Sequence, residues 1–129
     1  MLLPEDVDAE SEIEEYIAVS PPNQITLVAE YAGGAETVLV GFVEVGTRDY
    51  AEGCETSPVA YIEALYVDVG YRHAGVGRKL VEAAETWARS QGLRELASDV
   101  RWDNRLSHAA HLAYGFTETE RIICFQKRL

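Results

Sequence analysis

The feature that most constrains this chain is a change of hydrophobic period in its middle. From Val59 to Val69 the residues read as a strand, with Tyr61, Glu63, Leu65 and Val67 on one side and Ile62, Ala64 and Tyr66 on the other. After Gly75-Val-Gly77 the period lengthens. Val76, Leu80, Ala83, Ala84 and Trp87 recur every three or four residues, which predicts an amphipathic helix closed by Gln91-Gly92. Between the two stands Arg72-x-x-Gly75-x-Gly77, so the chain must build a strand, a short glycine loop and a helix in succession. Around this unit, Ile25–Tyr31 and Val38–Val45 predict a hairpin turning at Gly33-Gly34, with Arg48–Pro58 as a polar loop. Leu93–Asp99 is a short strand, and Asn104–Tyr114 is a helix with Asn104 or Asp103 as its N-cap. Ile122–Gln126 is a terminal strand, and residues 4–18 have a loose helical spacing that ends before Pro21-Pro22. Repeats and linkers are absent, so residues 1–129 are expected to form a single α+β domain.

Composition excludes several functions. A chain of 129 residues with 47% apolar and 26% charged residues can bury a core without disulfides. Its net charge of −11 argues against nucleic-acid binding, which needs Lys and Arg to displace counterions, and favours cationic partners. A solvated surface, or a salt-adapted composition, is the plainer account of the same charge. No apolar run approaches the roughly 20 residues of a membrane span, and Met1-Leu-Leu-Pro followed by acids is no signal peptide. A soluble cytoplasmic protein is expected. Cys54 and Cys124 have no CxxC or Cys/His ligand spacing, so no metal or redox role is expected.

Glycines at 75 and 77 let backbone approach a ligand closely, and the unpaired N–H groups of a helix start point toward it. That combination makes an anion site suited to a pyrophosphate, to which Arg72 and Arg78 could add ionic contacts. The spacing is neither a Walker A loop nor GxGxxG. On these residues alone, an ordinary glycine-containing start of a helix is the alternative.

Arg72-x-x-Gly75-x-Gly77 after an apolar strand resembles the acetyl-CoA pyrophosphate loop of the Gcn5-related N-acetyltransferases (GNAT superfamily). A second motif follows in order: Asn104-x-x-Ser107-x-x-Ala110-His111-x-x-x-Gly115-Phe116, where the superfamily usually has Tyr at the position of His111. Arg94-Glu-Leu-Ala-Ser-Asp99, Gly115–Arg121, Asp49-Tyr50 and Gly53-Cys54 narrow the resemblance to bacterial aminoglycoside 6′-N-acetyltransferases. The fold implied is a mixed, mostly antiparallel sheet flanked by helices.

The resemblance implies direct acetyl transfer from acetyl-CoA to an amine in a ternary complex, without a metal. The backbone of Leu65, Tyr66 and Val67 would hold the pantetheine arm like an added strand, and the amide of Leu65 or Tyr66 could polarise the thioester. Arg72, His73, Ala74, Gly75, Val76, Gly77 and Arg78 would cradle the pyrophosphate, and Asn104 and Ser107 belong with the coenzyme through the second motif. Attack needs a neutral amine, so a carboxylate base is expected, and Glu63 and Asp99 are the candidates for base or ammonium anchor. His111 could protonate the departing thiolate. Asp49, Tyr50, Glu63, Asp99 and Glu120 would meet a cationic acceptor.

The resemblance covers roughly residues 25–129. The family's first strand and helix are expected to be missing, leaving Ile25–Tyr31 a bare sheet edge that a homodimer partner would cover. Other readings are an acetyltransferase for a polyamine, metabolite or protein amine, and a non-catalytic acyl-CoA-binding or interaction module.

Overall fold

Alternation dictates the sheet. In Gln24–Tyr31 every second residue (Ile25, Leu27, Ala29 and Tyr31) is buried, as period-two burial of one face requires. A computed structural model of the protein describes residues 11–16, 23–31, 36–72 and 74–129. The chain divides into two compact units, Met1–Ser98 and Asp99–Leu129.

The first unit holds a five-stranded sheet in the order β1 (Ser11–Tyr16), β2 (Gln24–Tyr31), β3 (Val38–Arg48), β4 (Val59–Val67) and β5 (Leu96–Ala97). The first three pairings are antiparallel and β4–β5 is parallel, the mixed and mostly antiparallel sheet that was expected. A 3₁₀ turn, Val69–Tyr71, leads from β4 toward helix α1, Val76–Ser90, which packs on β2, β3 and β4. Its apolar stripe buries Val76, Leu80, Val81, Ala84 and Ala88. Gly92, at φ +76°, closes α1 in a Schellman motif: Leu93 N–H donates to Ala88 O at 2.9 Å and Gly92 N–H to Arg89 O at 3.0 Å.

Two irregularities shape β4. Glu44 pairs with Ala64 but Val45 pairs with Ile62, so Glu63 is an extra residue, a β-bulge. The expected alternation of Tyr61, Glu63, Leu65 and Val67 on one side therefore breaks: Tyr61 and Ile62 are both buried, and Glu63 is exposed. At the other end, Gly41 admits a close approach of the strands. A Cβ there would lie 2.6 Å from the Tyr66 carbonyl oxygen and 3.3 Å from a Leu80 methyl.

The expected helix over residues 4–18 is corrected where it is described. Residues 11–16 form β1, paired from Ser11↔Tyr31 to Tyr16↔Thr26, and the remainder of that segment lies outside the described residues. The row of backbone donors and acceptors along β2 outweighs a loose three-to-four spacing, in a segment where Glu12-Ile13-Glu14 also alternates. For the same reason Ile25–Tyr31 is not a bare edge. The hairpin's second strand runs on to Arg48 rather than ending at Val45, and the strand expected over Leu93–Asp99 is only Leu96–Ala97.

In the second unit, α2 (Arg105–Ala113) begins at Asn104, whose Oδ1 accepts the Ser107 N–H at 3.1 Å. Gly115, at φ +98°, ends it in another Schellman motif, with Phe116 N–H donating to His111 O at 3.0 Å. Ile122–Gln126 is not a strand. Ile122, Ile123 and Phe125 are exposed, and β-prone side chains form a strand only where a partner edge receives them.

Candidate active site

The glycine loop adopts the geometry that its residue types demand. Gly75 sits in the left-handed region (φ 85°, ψ 0°) as the N-cap of α1, where an L side chain would be strained. It brings no capping side chain, and the first helical turn holds no acid. Buried Ala74, Val76 and Gly77 fix the turn to the core, while Arg72 and Arg78 are exposed. The Arg72 Nε donates to Val67 O at 3.0 Å, tying the loop to the end of β4. An open, positively polarised helix start with cationic side chains beside it suits a diphosphate. His73 lies outside the described residues.

β4 supplies the second half of the site. It pairs with β5 only at Ala60↔Leu96 and Tyr61↔Ala97, supported by Ala60 N–H donating to Glu95 O at 3.0 Å. Beyond Tyr61, through Leu65, Tyr66 and Val67, no further strand lies on that side among the described residues. A half-open strand edge is a template for an extended amide chain.

Glu63, on its bulge, is held by Arg48. The Nε donates to Oε2 at 2.8 Å and an Nη donates to Oε1 at 2.6 Å, a bidentate pair. The guanidinium carbon lies 3.6 Å from the centroid of the buried Tyr61 ring. Asp49 and Tyr50 follow Arg48 directly and are exposed. The loop behind them is pinned by Glu95, whose Oε1 accepts the N–H groups of Glu55 and Thr56 at 2.9 and 2.7 Å and the Thr56 hydroxyl at 2.5 Å. Hydrogen bonds from Thr56 hold the Glu95 carboxyl below the usual range. Burial, then the Glu95 charge, pushes the Cys54 thiol up.

Glu63, Leu65–Val67 and the loop from Arg72 to Arg78 thus lie along one continuous strand, turn and helix start of the first unit. Asp99, Asn104, Ser107, His111 and Glu120 belong to the second. There Asp99 and Glu120 are exposed, and Asn104 is occupied in capping α2. His111 Nδ1 lies 2.8 Å from Ser107 O. A carbonyl only accepts, so this contact is a hydrogen bond in the tautomer with the proton on Nδ1. The ring packs at 5.2 Å on Phe116. Sequence reasoning missed Arg48 and Glu95. Arg48 could have been found from the hairpin, where a cation at the end of one strand can reach a carboxylate on the next. Nothing local announces that Glu95 holds a segment 39 residues away.

A strand with a half-open edge running into an uncapped glycine-started helix can hold an extended ligand that ends in an anion. Residues 2–116 match the acetyltransferase (GNAT) family, and the chain belongs to that family. The match extends well ahead of residue 25, where the resemblance was expected to begin. Among its relatives, the aminoglycoside N(6′)-acetyltransferase type 1 of Stenotrophomonas maltophilia is 42% identical over 123 residues, covering 95% of this chain and 79% of the relative. The solved structure of AAC(6′)-Iy in complex with the bisubstrate analog CoA-S-monomethyl-acetylneamine superposes with a TM-score of 0.81 at 28% identity, over 93% of this chain and 99% of that one. AAC(6′)-Iy in complex with CoA gives a TM-score of 0.78 at 35% identity, over 86% of this chain and 71% of that one.

Proposed function

We infer that this protein is an acetyl-CoA-dependent N-acetyltransferase that modifies the 6′-amine of aminoglycosides. The observation that carries the reading is the uncapped start of α1 at Gly75, in sequence with the part of β4 beyond Tyr61, which no further strand flanks among the described residues. The acceptor class is supported by the names of the relatives, 42% identity among them, and by a bound CoA–acetylneamine analog in one structural neighbour.

Acetyl-CoA would supply the acetyl group as a thioester. Backbone donors of the Gly75–Arg78 turn would bind its diphosphate, aided by Arg72 and Arg78, and the edge of Leu65–Val67 would align its amide arm. A main-chain N–H at Leu65 or Tyr66 would polarise the carbonyl under attack. Asp49, Tyr50 and Glu63 would gather the ammonium groups of the acceptor. One carboxylate must take a proton from the 6′-ammonium before attack. Both oxygens of Glu63 already accept from Arg48, which suits that carboxylate to anchoring an ammonium rather than to removing its proton. His111 would return a proton to the leaving thiolate.

No helix among the described residues is long and apolar enough to cross a membrane, and we place the protein in the cytoplasm, where acetyl-CoA is made. Exposed Ile122, Ile123 and Phe125 support a homodimer. A panel of aminoglycosides assayed by release of the CoA thiol tests the function: turnover is expected for acceptors bearing a 6′-amine and absent from 6′-hydroxyl analogues. Silence across the panel from enzyme that acetylates polyamines or other amines would overturn the acceptor assignment. Exposed Asp49 and Glu55 would attract any such polycation, which keeps that second reading in view.

A further inference from the structure

We propose that Arg48 is a positioning residue for the acceptor: seated on Tyr61, it fixes the Glu63 carboxylate as an oriented anionic anchor for an acceptor ammonium. This rests on the function inferred above and adds to it a residue outside both sequence motifs. Three observations meet at one carboxylate. Glu63 occupies the bulge of β4, where the backbone leaves the regular ladder. Both of its oxygens accept from one guanidinium, at 2.8 and 2.6 Å. That guanidinium stacks 3.6 Å from the centre of a ring that is 4% exposed, so its support is rigid.

A half-exposed ion pair contributes little to stability. What this one supplies is geometry. A carboxylate has about four lone-pair sites, and a bidentate guanidinium takes two, leaving two for an acceptor's N–H groups at a set angle. Lysine offers a point charge on a flexible stem and cannot hold both oxygens in one plane. Without Arg48 the carboxylate turns freely on its bulge, and the acceptor amine loses its alignment with the acyl carbon.

The test is steady-state kinetics with kanamycin and acetyl-CoA on Arg48→Met, Arg48→Lys, Glu63→Gln and the Arg48→Met/Glu63→Gln double variant. Arg48→Met should raise the KM for kanamycin about tenfold or more while the KM for acetyl-CoA stays within about twofold. Arg48→Lys should recover only part of that loss. In the Glu63→Gln background the Arg48→Met change should cost little, because its effect passes through Glu63. Equal rises in both KM values, full recovery by lysine, or an undiminished loss in the Glu63→Gln background would overturn the proposal. If Arg48→Met does not fold, the lysine variant decides: a raised kanamycin KM supports it and an unchanged one overturns it. Wild-type enzyme inactive on kanamycin would instead overturn the functional reading on which this one stands.

Discussion

The two α-helices among the described residues begin in opposite ways. α2 opens on Asn104, whose side chain closes the first turn by accepting the Ser107 N–H. α1 opens on Gly75, which has no side chain to do so, and it carries no acid in its first turn. They also differ in anchorage. α1 buries Leu80 completely along with five other residues, whereas no residue of α2 is buried. A helix that satisfies its own N-terminus needs nothing more there. One that is held firmly by its apolar face can leave that terminus open for a ligand, because packing rather than capping stabilises it.

The largest effect should come from making the first helix resemble the second. Gly75→Asp would strain the left-handed turn and set a negative charge where we propose that the diphosphate binds, so the KM for acetyl-CoA should rise about 100-fold or more. An unchanged value would remove the phosphate-loop reading. Next, Leu80→Ala should destabilise the fold by about 2–5 kcal/mol in denaturant titration, because Leu80 is fully buried. Leu106→Ala on α2, where the side chain is 75% exposed, should shift stability by less than about 0.5 kcal/mol, and equal losses would erase the contrast in anchorage. Asn104→Ala should cost about 1 kcal/mol of α2 stability through the lost cap. The smallest effect concerns Glu95. Its carboxyl is held below the ordinary value of 4.5, so its grip on Thr56 is complete above that pH and is lost as pH falls through the lowered value. Amide exchange at Glu55 and Thr56 should accelerate over that acid window, and Glu95→Gln should remove the pH dependence.

Elements that rest on local chemistry were legible in the sequence. The apolar spacing and Gly92 bracket α1, and Asn104 and Gly115 bracket α2 with the residue types those backbone positions select. The hairpin and β4 followed from their β-branched runs. What escaped was set by distant partners. β1 has a weak pattern of its own and exists because β2 offers it an edge. The bulge at Glu63 is a property of the β3–β4 register, which no single strand encodes. The loop of Asp49 and Tyr50 depends on a carboxylate from beyond α1. In the site, the glycine loop could be read directly, while the clamp of Arg48 on Glu63 required the strands to be folded together. Ile122–Gln126 shows the converse, since its residues favour a strand and no neighbour receives them among the described residues.

Because β5 stops after two residues, half of β4 is left for recognition through main-chain atoms. Such a grip ignores most side-chain replacements, so the coenzyme contacts proposed for β4 would tolerate sequence drift with little penalty. The acceptor contacts proposed above, charged side chains such as Glu63, would have no such protection. On the function proposed above, selection could retune which amine is taken without disturbing how the donor is held.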